Sequence, residues 1–426
     1  MKKNLIMLLI TILLFLGVFG IIIMKKNKQR EQKPIINYNQ NINYITNEFN
    51  LNLAKTVNIG RESNYLISPY SIEIALNMLK DGANGKTKEE IESLIGGRFI
   101  NNISVKDRIS IANAIFIKNK YKEYIKEKYT KSLVNNYNSE ILYDDFKTPQ
   151  KINNWVKNKT NGMIDKILDD MSNDFVIGLA NALAIDVKWN SQFECTSTTN
   201  EEFTKINGET FETEMMHKKY SDEEVKYISS DSVKGIIIPY IKYNSKTGDE
   251  SFAEGKNLEF IAIMPNNSLK DYINSLSNNS LNSIIDSAKY PSDSEVVLSI
   301  PRFTYDFSLD DFKEVLKRMG MNLAFDEFNA DFTNMFERTE ELENIYVGEA
   351  IHKTHIELSE TGTKAAAVTF FGMFNSTAIL DEKEKIYITL NKPFMYIIRD
   401  TDTKEMLFFG TVYEPNKWNG STCKEK

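Results

Sequence analysis

The ten residues Glu360-Thr361-Gly362-Thr363-Lys364-Ala365-Ala366-Ala367-Val368-Thr369 constrain the fold most, because they suit two states. After Glu360 the side chains are small and Lys364 is the single charge, which fits a surface loop. The same residues fit a buried strand. A strand turns its side chains alternately to its two faces. One face would carry Thr363, Ala365, Ala367, Thr369, Phe371 and Met373, all able to pack on a core. The other would carry Lys364, Ala366, Val368, Phe370 and Gly372. No proline interrupts the ladder. On composition alone an alanine run favours helix, so the flanks must decide.

Upstream stands Ile351-His352-Lys353-Thr354-His355-Ile356-Glu357-Leu358-Ser359. Downstream come Asn391-Lys392-Pro393-Phe394 and Leu407-Phe408-Phe409-Gly410-Thr411-Val412-Tyr413-Glu414-Pro415. This order closely resembles the C-terminal third of the serpins, a family of serine and cysteine protease inhibitors. In that family the Glu-x-Gly-Thr-x-Ala-Ala-Ala segment is the hinge of the reactive-centre loop. The resemblance extends from about residue 41 to 416. Asn64-Tyr65-Leu66-Ile67-Ser68-Pro69-Tyr70-Ser71, with Ala75-Leu76-Asn77-Met78-Leu79, is similar to the family's buried strand and shutter helix. Asp81-Gly82-Ala83-Asn84-Gly85-Lys86-Thr87 matches the following turn. Asn153-Asn154-Trp155-Val156 and Lys159-Thr160-Asn161-Gly162 resemble the helix crossing the front of the main sheet. Leu179-Ala180-Asn181-Ala182 through Val187-Lys188-Trp189 resembles a central strand of that sheet. Ile300-Pro301-Arg302-Phe303 and Lys317-Arg318-Met319-Gly320-Met321 follow in family order.

Helical and strand-like patterns alternate irregularly, as in a mixed α+β domain. The resemblance implies a single serpin-like domain over 42–417, with three β-sheets, eight or nine helices and an exposed loop. Thr87-x-x-Glu90 reads as a capping box opening a helix over 88–95, stopped by Gly96-Gly97. Thr148-Pro149 opens another helix, with Ile152, Trp155 and Val156 on one face. The nearly uncharged run 175–189 suits a strand buried on both faces. Further strands are expected over 258–264, 295–300, 386–390 and 394–398. Larger serpins carry one more helix before the strand-like Ile109-Ser110-Ile111-Ala112; this chain has too few residues for it. The lysines at 118–131 alternate with Glu123 and Glu127, so they read as a solvated face and no heparin binding is expected.

The apolar run 5–24 is long enough to span a bilayer. Basic residues flank it, and it continues past the small residues at 18–20. Segment 1–26 therefore reads as an uncleaved signal anchor, with a cleaved signal as the alternative. Segment 27–41 is a polar tether and 418–426 a polar tail. An extracellular, membrane-anchored protein follows. The net charge of −7 argues against a nucleic-acid partner. Cys195 and Cys423 lie far apart in sequence, and the simplest reading is two unpaired thiols. No zinc spacing, nucleophile elbow or phosphate loop occurs among the motifs, so no metal, cofactor or catalytic residue is expected.

The resemblance then assigns roles. Ser68, Ser71, Asn181 and His352 would form the shutter at the opening point of the main sheet. Trp189, Arg302 and Glu360 would form the breach above it, with Arg302 paired to Glu360. Glu360, Gly362, Thr363, Ala365, Ala366, Ala367 and Thr369 would be the loop hinge. Counting from Glu360 sets the reactive bond at Ser376-Thr377, with Phe374-Asn375 and Asn375-Ser376 as alternatives. The implied activity is suicide inhibition, by a monomer, of a subtilisin-like, elastase-like or chymotrypsin-like protease. A non-inhibitory serpin serving as a surface binding or scaffold protein is the alternative. No Lys or Arg lies between Lys364 and Lys383, which disfavours a trypsin-like target.

Overall fold

The computed structural model describes residues 48–96, 103–172, 175–251, 257–337, 339, 345–348, 350–363, 383–418 and 423. The segments 1–26 and 27–41, hinge residues Ala365, Ala366, Ala367 and Thr369, and the Ser376-Thr377 bond lie outside them. No helix among the described residues is long and apolar enough to cross a membrane.

The architecture is α+β, with eight α-helices among the described residues and three large sheets. The first sheet is the main one and lies in two parts. One part runs β3 (Ser139–Asp144), β2 (Ile109–Lys118), β4 (Ile177–Ile185). The other runs β14 (Phe303–Ser308), β15 (Lys353–Leu358), β16 (Gly362–Thr363), β5 (Val187–Lys188). The run 175–189 thus forms two strands: β4 pairs with β2, the Asp186 N–H adds one more bond in that register to the Arg108 carbonyl at 2.8 Å, and β5 then pairs with β16. A second sheet has the order β1 (Tyr65–Ile67), β19 (Met406–Val412), β18 (Phe394–Asp400), β12 (Leu258–Pro265), β9 (Val233–Pro239), β8 (Lys226–Ser229). Strands β18 and β19 are buried at every position, which suits the apolar runs 394–398 and 406–409 within them. A third sheet has the order β17 (Glu384–Thr389), β13 (Ser294–Pro301), β7 (Thr210–Ser221), β6 (Thr198–Thr204).

The helix Pro69–Gly82 starts where the sequence supplies both a cap and a preset φ. Ser68 Oγ accepts from the Ser71 N–H at 3.2 Å, and Pro69 occupies the first turn. The helix packs against β4 and β19, and its cap residue Ser68 bonds to His352, just before β15. The helix Gln150–Lys159 crosses β2 and β4. Its Trp155 meets Phe116 edge-on at 5.6 Å and its Ile152 and Val156 are buried, as the spacing requires.

Two expectations are corrected. Thr87 does not cap a helix: the helix runs Gly85–Ile95 behind Asn84. Thr87 is buried and accepts from the Asp331 N–H, while Glu90 accepts from the N–H groups of Asn322 and Leu323. Both side chains satisfy a distant loop rather than their own helix. The two cysteines are also not free: Cys195 and Cys423 form a disulfide with Cα atoms 5.5 Å apart. Their separation of 228 residues hid this, because the fold brings the start of β6 and the chain end to one place.

Candidate functional site

The two parts of the main sheet join at one end only. Gly362 and Thr363 pair with Lys188 and Val187 of β5, and Thr363 pairs with Leu358 of β15. Below that junction no ladder joins β4 to β15 among the described residues. The gap between them is lined by Asn181, Leu183, His352, Thr354, Ile356 and Thr363. The chain therefore enters the sheet at Thr363, at the head of an unpaired strand position.

Glycine at 362 is dictated by this approach. A Cβ there would lie 2.1 Å from the Val187 carbonyl oxygen. Thr363 is buried, and its hydroxyl sits 2.5 Å from the Tyr240 hydroxyl. Burial raises the Tyr240 phenol well above its usual range, so it remains a neutral hydrogen-bonding group. Tyr240 stacks on Trp189 with centroids 4.6 Å apart, and Trp189 is fully buried. Trp189 Nε1–H donates to the Ser359 carbonyl at 2.8 Å, and its backbone N–H donates to Thr361 at 3.0 Å. Trp189 thus holds both ends of the turn that launches the hinge, one through its indole and one through its backbone.

Glu360 is 0% exposed and Arg302 7% exposed. Arg302 Nη1 donates to Glu360 Oε1 at 3.1 Å, and Thr198 Oγ1 donates to the same oxygen at 2.7 Å. The other edge of the guanidinium forks onto Glu214, with Nη2 at 2.5 Å and Nε at 3.2 Å. The Trp418 ring covers the guanidinium at 4.9 Å. Removing one partner of a buried pair strands the other, at a cost of about 3–5 kcal/mol. Arg302→Met should therefore lower unfolding stability by about that much. A urea-unfolding loss under about 1 kcal/mol would rank the pair with exposed ones.

Around the gap's lower half, the Ser68 N–H donates to His352 Nε2 at 3.0 Å. Ser71 joins through its N–H to Ser68 Oγ. Asn181 lines the same gap but donates to Asn113 Oδ1 at 2.7 Å, so its amide ties β4 to β2 rather than to His352. Because His352 Nε2 is an acceptor, its ring is neutral with the proton on Nδ1. Burial agrees, pushing the pKa down to about 4. An unfolded histidine titrates near ~6.5. The folded state binds its proton less readily, so stability is full above that pH and falls as the pH drops toward 4. The loss reaches about 3 kcal/mol. His352→Gln, which cannot take a proton, should flatten this part of the profile. Urea midpoints at pH 7.5 and 4.5 with equal slopes in both proteins would remove His352 from the acid response.

Several residues of the site were not legible in the sequence. Tyr240, Thr198 and Glu214 carry no local motif; only the fold brings them to Thr363, Glu360 and Arg302. Trp418 and Cys423 did leave a trace, as an aromatic ring and a thiol in an otherwise polar tail.

The model of the family described as Serpin (serine protease inhibitor) matches residues 44–415. An uncharacterized serpin-like protein of Thermococcus kodakarensis is 28% identical over 410 residues, covering 91% of this chain and 87% of that protein. The thermophilic serpin tengpin in its native state superposes with a TM-score of 0.72 at 30% identity, over 88% of this chain and 95% of that one. Tengpin in its latent state gives 0.69 at 29% identity, over 88% and 100%.

Proposed function

The chain belongs to the serpin family, whose members are generally protease inhibitors, and on that premise we propose that it is a suicide inhibitor of serine proteases. The observation that carries this reading is Thr363, packed between β5 and β15 at the head of an unpaired position in the main sheet. A target serine attacks the Ser376 carbonyl and expels the amine of Thr377, leaving an acyl-enzyme. The freed hinge then continues the strand that Gly362 and Thr363 begin. The residues due to face inward after Thr363 are Ala365, Ala367, Thr369, Phe371 and Met373, with no charge or proline to resist burial. About 14 residues at ~3.3 Å each carry the tethered protease about 45 Å.

The energetics favour this direction. Each new ladder hydrogen bond contributes roughly 0.5–1.5 kcal/mol. Phe371 and Met373 add about 1.5–3 kcal/mol each on burial. The sum over the strand is on the order of 10–20 kcal/mol, enough to distort a protease active site. The uninserted form is then held by its barrier rather than by equilibrium. Arg302, Glu360 and the Trp189–Tyr240 stack hold the turn before the hinge, and His352 with Ser68 fixes the edge that must open.

The reactive position Ser376 suits a small primary pocket of elastase-like or subtilisin-like type. An extracellular setting, reached through the segment 5–24, is supported by the disulfide, since such bonds persist in oxidising compartments. Titrating subtilisin, elastase and chymotrypsin with the purified protein tests the reading. It expects irreversible loss of protease activity at near-equimolar inhibitor for at least one enzyme. Full activity of all three after complete loop cleavage would instead identify a non-inhibitory scaffold.

A further inference from the structure

The two ladders at the head of the gap fix where the next residue of an inserting strand must go. Thr363 pairs antiparallel with Val187 of β5 and with Leu358 of β15, and all three are buried. One step further along both ladders, position 364 falls between Asp186 and Glu357. Directly opposed residues share a face, and alternation puts these three on the face away from Thr363. Asp186 and Glu357 are both half-buried there. The row extends past Asp186 to Arg108, one step beyond the Ile109–Ile185 pair, whose carbonyl accepts the Asp186 N–H. It extends past Glu357 to Thr304 of β14. Across the strands the charges therefore run cation, anion, open position, anion. The neighbouring charges along the same strands pair among themselves, Lys188 with Glu250 at 3.0 Å and His355 with Asp306 at 2.8 Å. The sequence supplies Lys364 for the open position, and it is the single charge between Glu360 and Asp381.

We propose that Asp186 and Glu357 receive Lys364 when the hinge inserts, forming a charge clamp from both sides of the gap. This deepens the inhibitory reading above and rests on it. Opposite charges directly across a ladder stabilise it, and like charges there destabilise it. The clamp also sets register. A slip of one residue would bring Ala365 to the carboxylates and turn Lys364 onto the buried face. The first inserted residue after Thr363 is thereby aligned before the uncharged residues that follow it, which carry no such signal. Asp186 and Glu357 are positioning residues, acting on the hinge rather than on the target.

The test is a charge swap read on the loop-cleaved protein. The parent, Lys364→Glu, Glu357→Lys and the double variant Lys364→Glu/Glu357→Lys are each cut near Phe374 by a chymotrypsin-like enzyme. Thermal midpoints are measured before and after the cut. Lys364→Glu sets three carboxylates in a row and should lower the cleaved midpoint by about 2–6 °C. Glu357→Lys sets two ammonium groups side by side and should lower it as well, by less. The double variant restores one opposite pair and should recover about half of the Lys364→Glu loss. These differences should shrink in about 1 M sodium chloride, where charges are screened within about 3 Å. A loss under about 1 °C for Lys364→Glu, or no recovery in the double variant, overturns the clamp. If the parent still gains stability on cleavage and traps a protease, the clamp alone falls. A parent that gains nothing on cleavage defeats insertion and clamp together. Recovery by the swap in a protein that traps no protease upholds the clamp and defeats the inhibitor.

Discussion

Cutting the chain within 364–382 should raise the thermal unfolding midpoint by about 10–30 °C. The freed hinge would fill the position between β4 and β15 that no described strand occupies. A new central strand brings the hydrogen bonds and apolar burial summed above, on the order of 10–20 kcal/mol. For a domain of this size each kcal/mol moves the midpoint by about 1–2 °C. The gain appears only if the intact form is trapped short of its most stable arrangement. A midpoint shift of less than a few degrees would mean that the segment does not insert. Cleavage by a chymotrypsin-like enzyme near Phe374 is a suitable cut. The disulfide holds the C-terminal piece in place, so the comparison is between molecules of the same composition.

Thr363→Arg should convert the protein from a trap into a substrate. Thr363 is 2% exposed between β5 and β15, with its hydroxyl on Tyr240. A guanidinium there would meet the Tyr240 hydroxyl, Leu358 and Val187, and burying it costs several kcal/mol. The variant would keep the hinge out of the sheet, and insertion after cleavage would be slowed at its first step. Because trapping competes with hydrolysis of the acyl-enzyme, a delay of that kind diverts nearly every encounter to hydrolysis. Covalent complex should fall at least about tenfold, since tenfold needs only ~1.4 kcal/mol on the insertion barrier. Thr363→Ser, which keeps the hydroxyl, should trap like the parent. Undiminished complex formation by Thr363→Arg would show that residue 363 is not an inward position.

The strands were legible where burial imposes a simple pattern. The runs 258–264, 295–300 and 394–398 lie within β12, β13 and β18, where most positions are buried and apolar. The helix Pro69–Gly82 was expected from the family pattern, and Ser68 and Pro69 start it through the residues beside them. What could not be read locally was set by long-range partners. The strand-like run 175–189 changes partner after Asp186, from β2 to β16. Thr87 looks like a cap but serves Asp331. Cys195 and Cys423 look unrelated until the fold brings them within bonding distance. Within the site, Arg302, Glu360 and Trp189 could be named from the family pattern, whereas Glu214, Tyr240 and Trp418 needed the fold.

The central claim, that the protein traps a protease by covalent attachment and loop insertion, is tested most directly on one denaturing gel. The protein is incubated with subtilisin, quenched in detergent and run with and without reductant. The account requires a band at the summed mass of both proteins that survives boiling, with the protease acylated by Ser376. The fragment beginning at Thr377 should stay in that band until reductant breaks Cys195–Cys423, then run free, and mass spectrometry should find Thr377 at its N-terminus. A cleaved protein with no high-mass band for subtilisin, elastase or chymotrypsin would contradict the account.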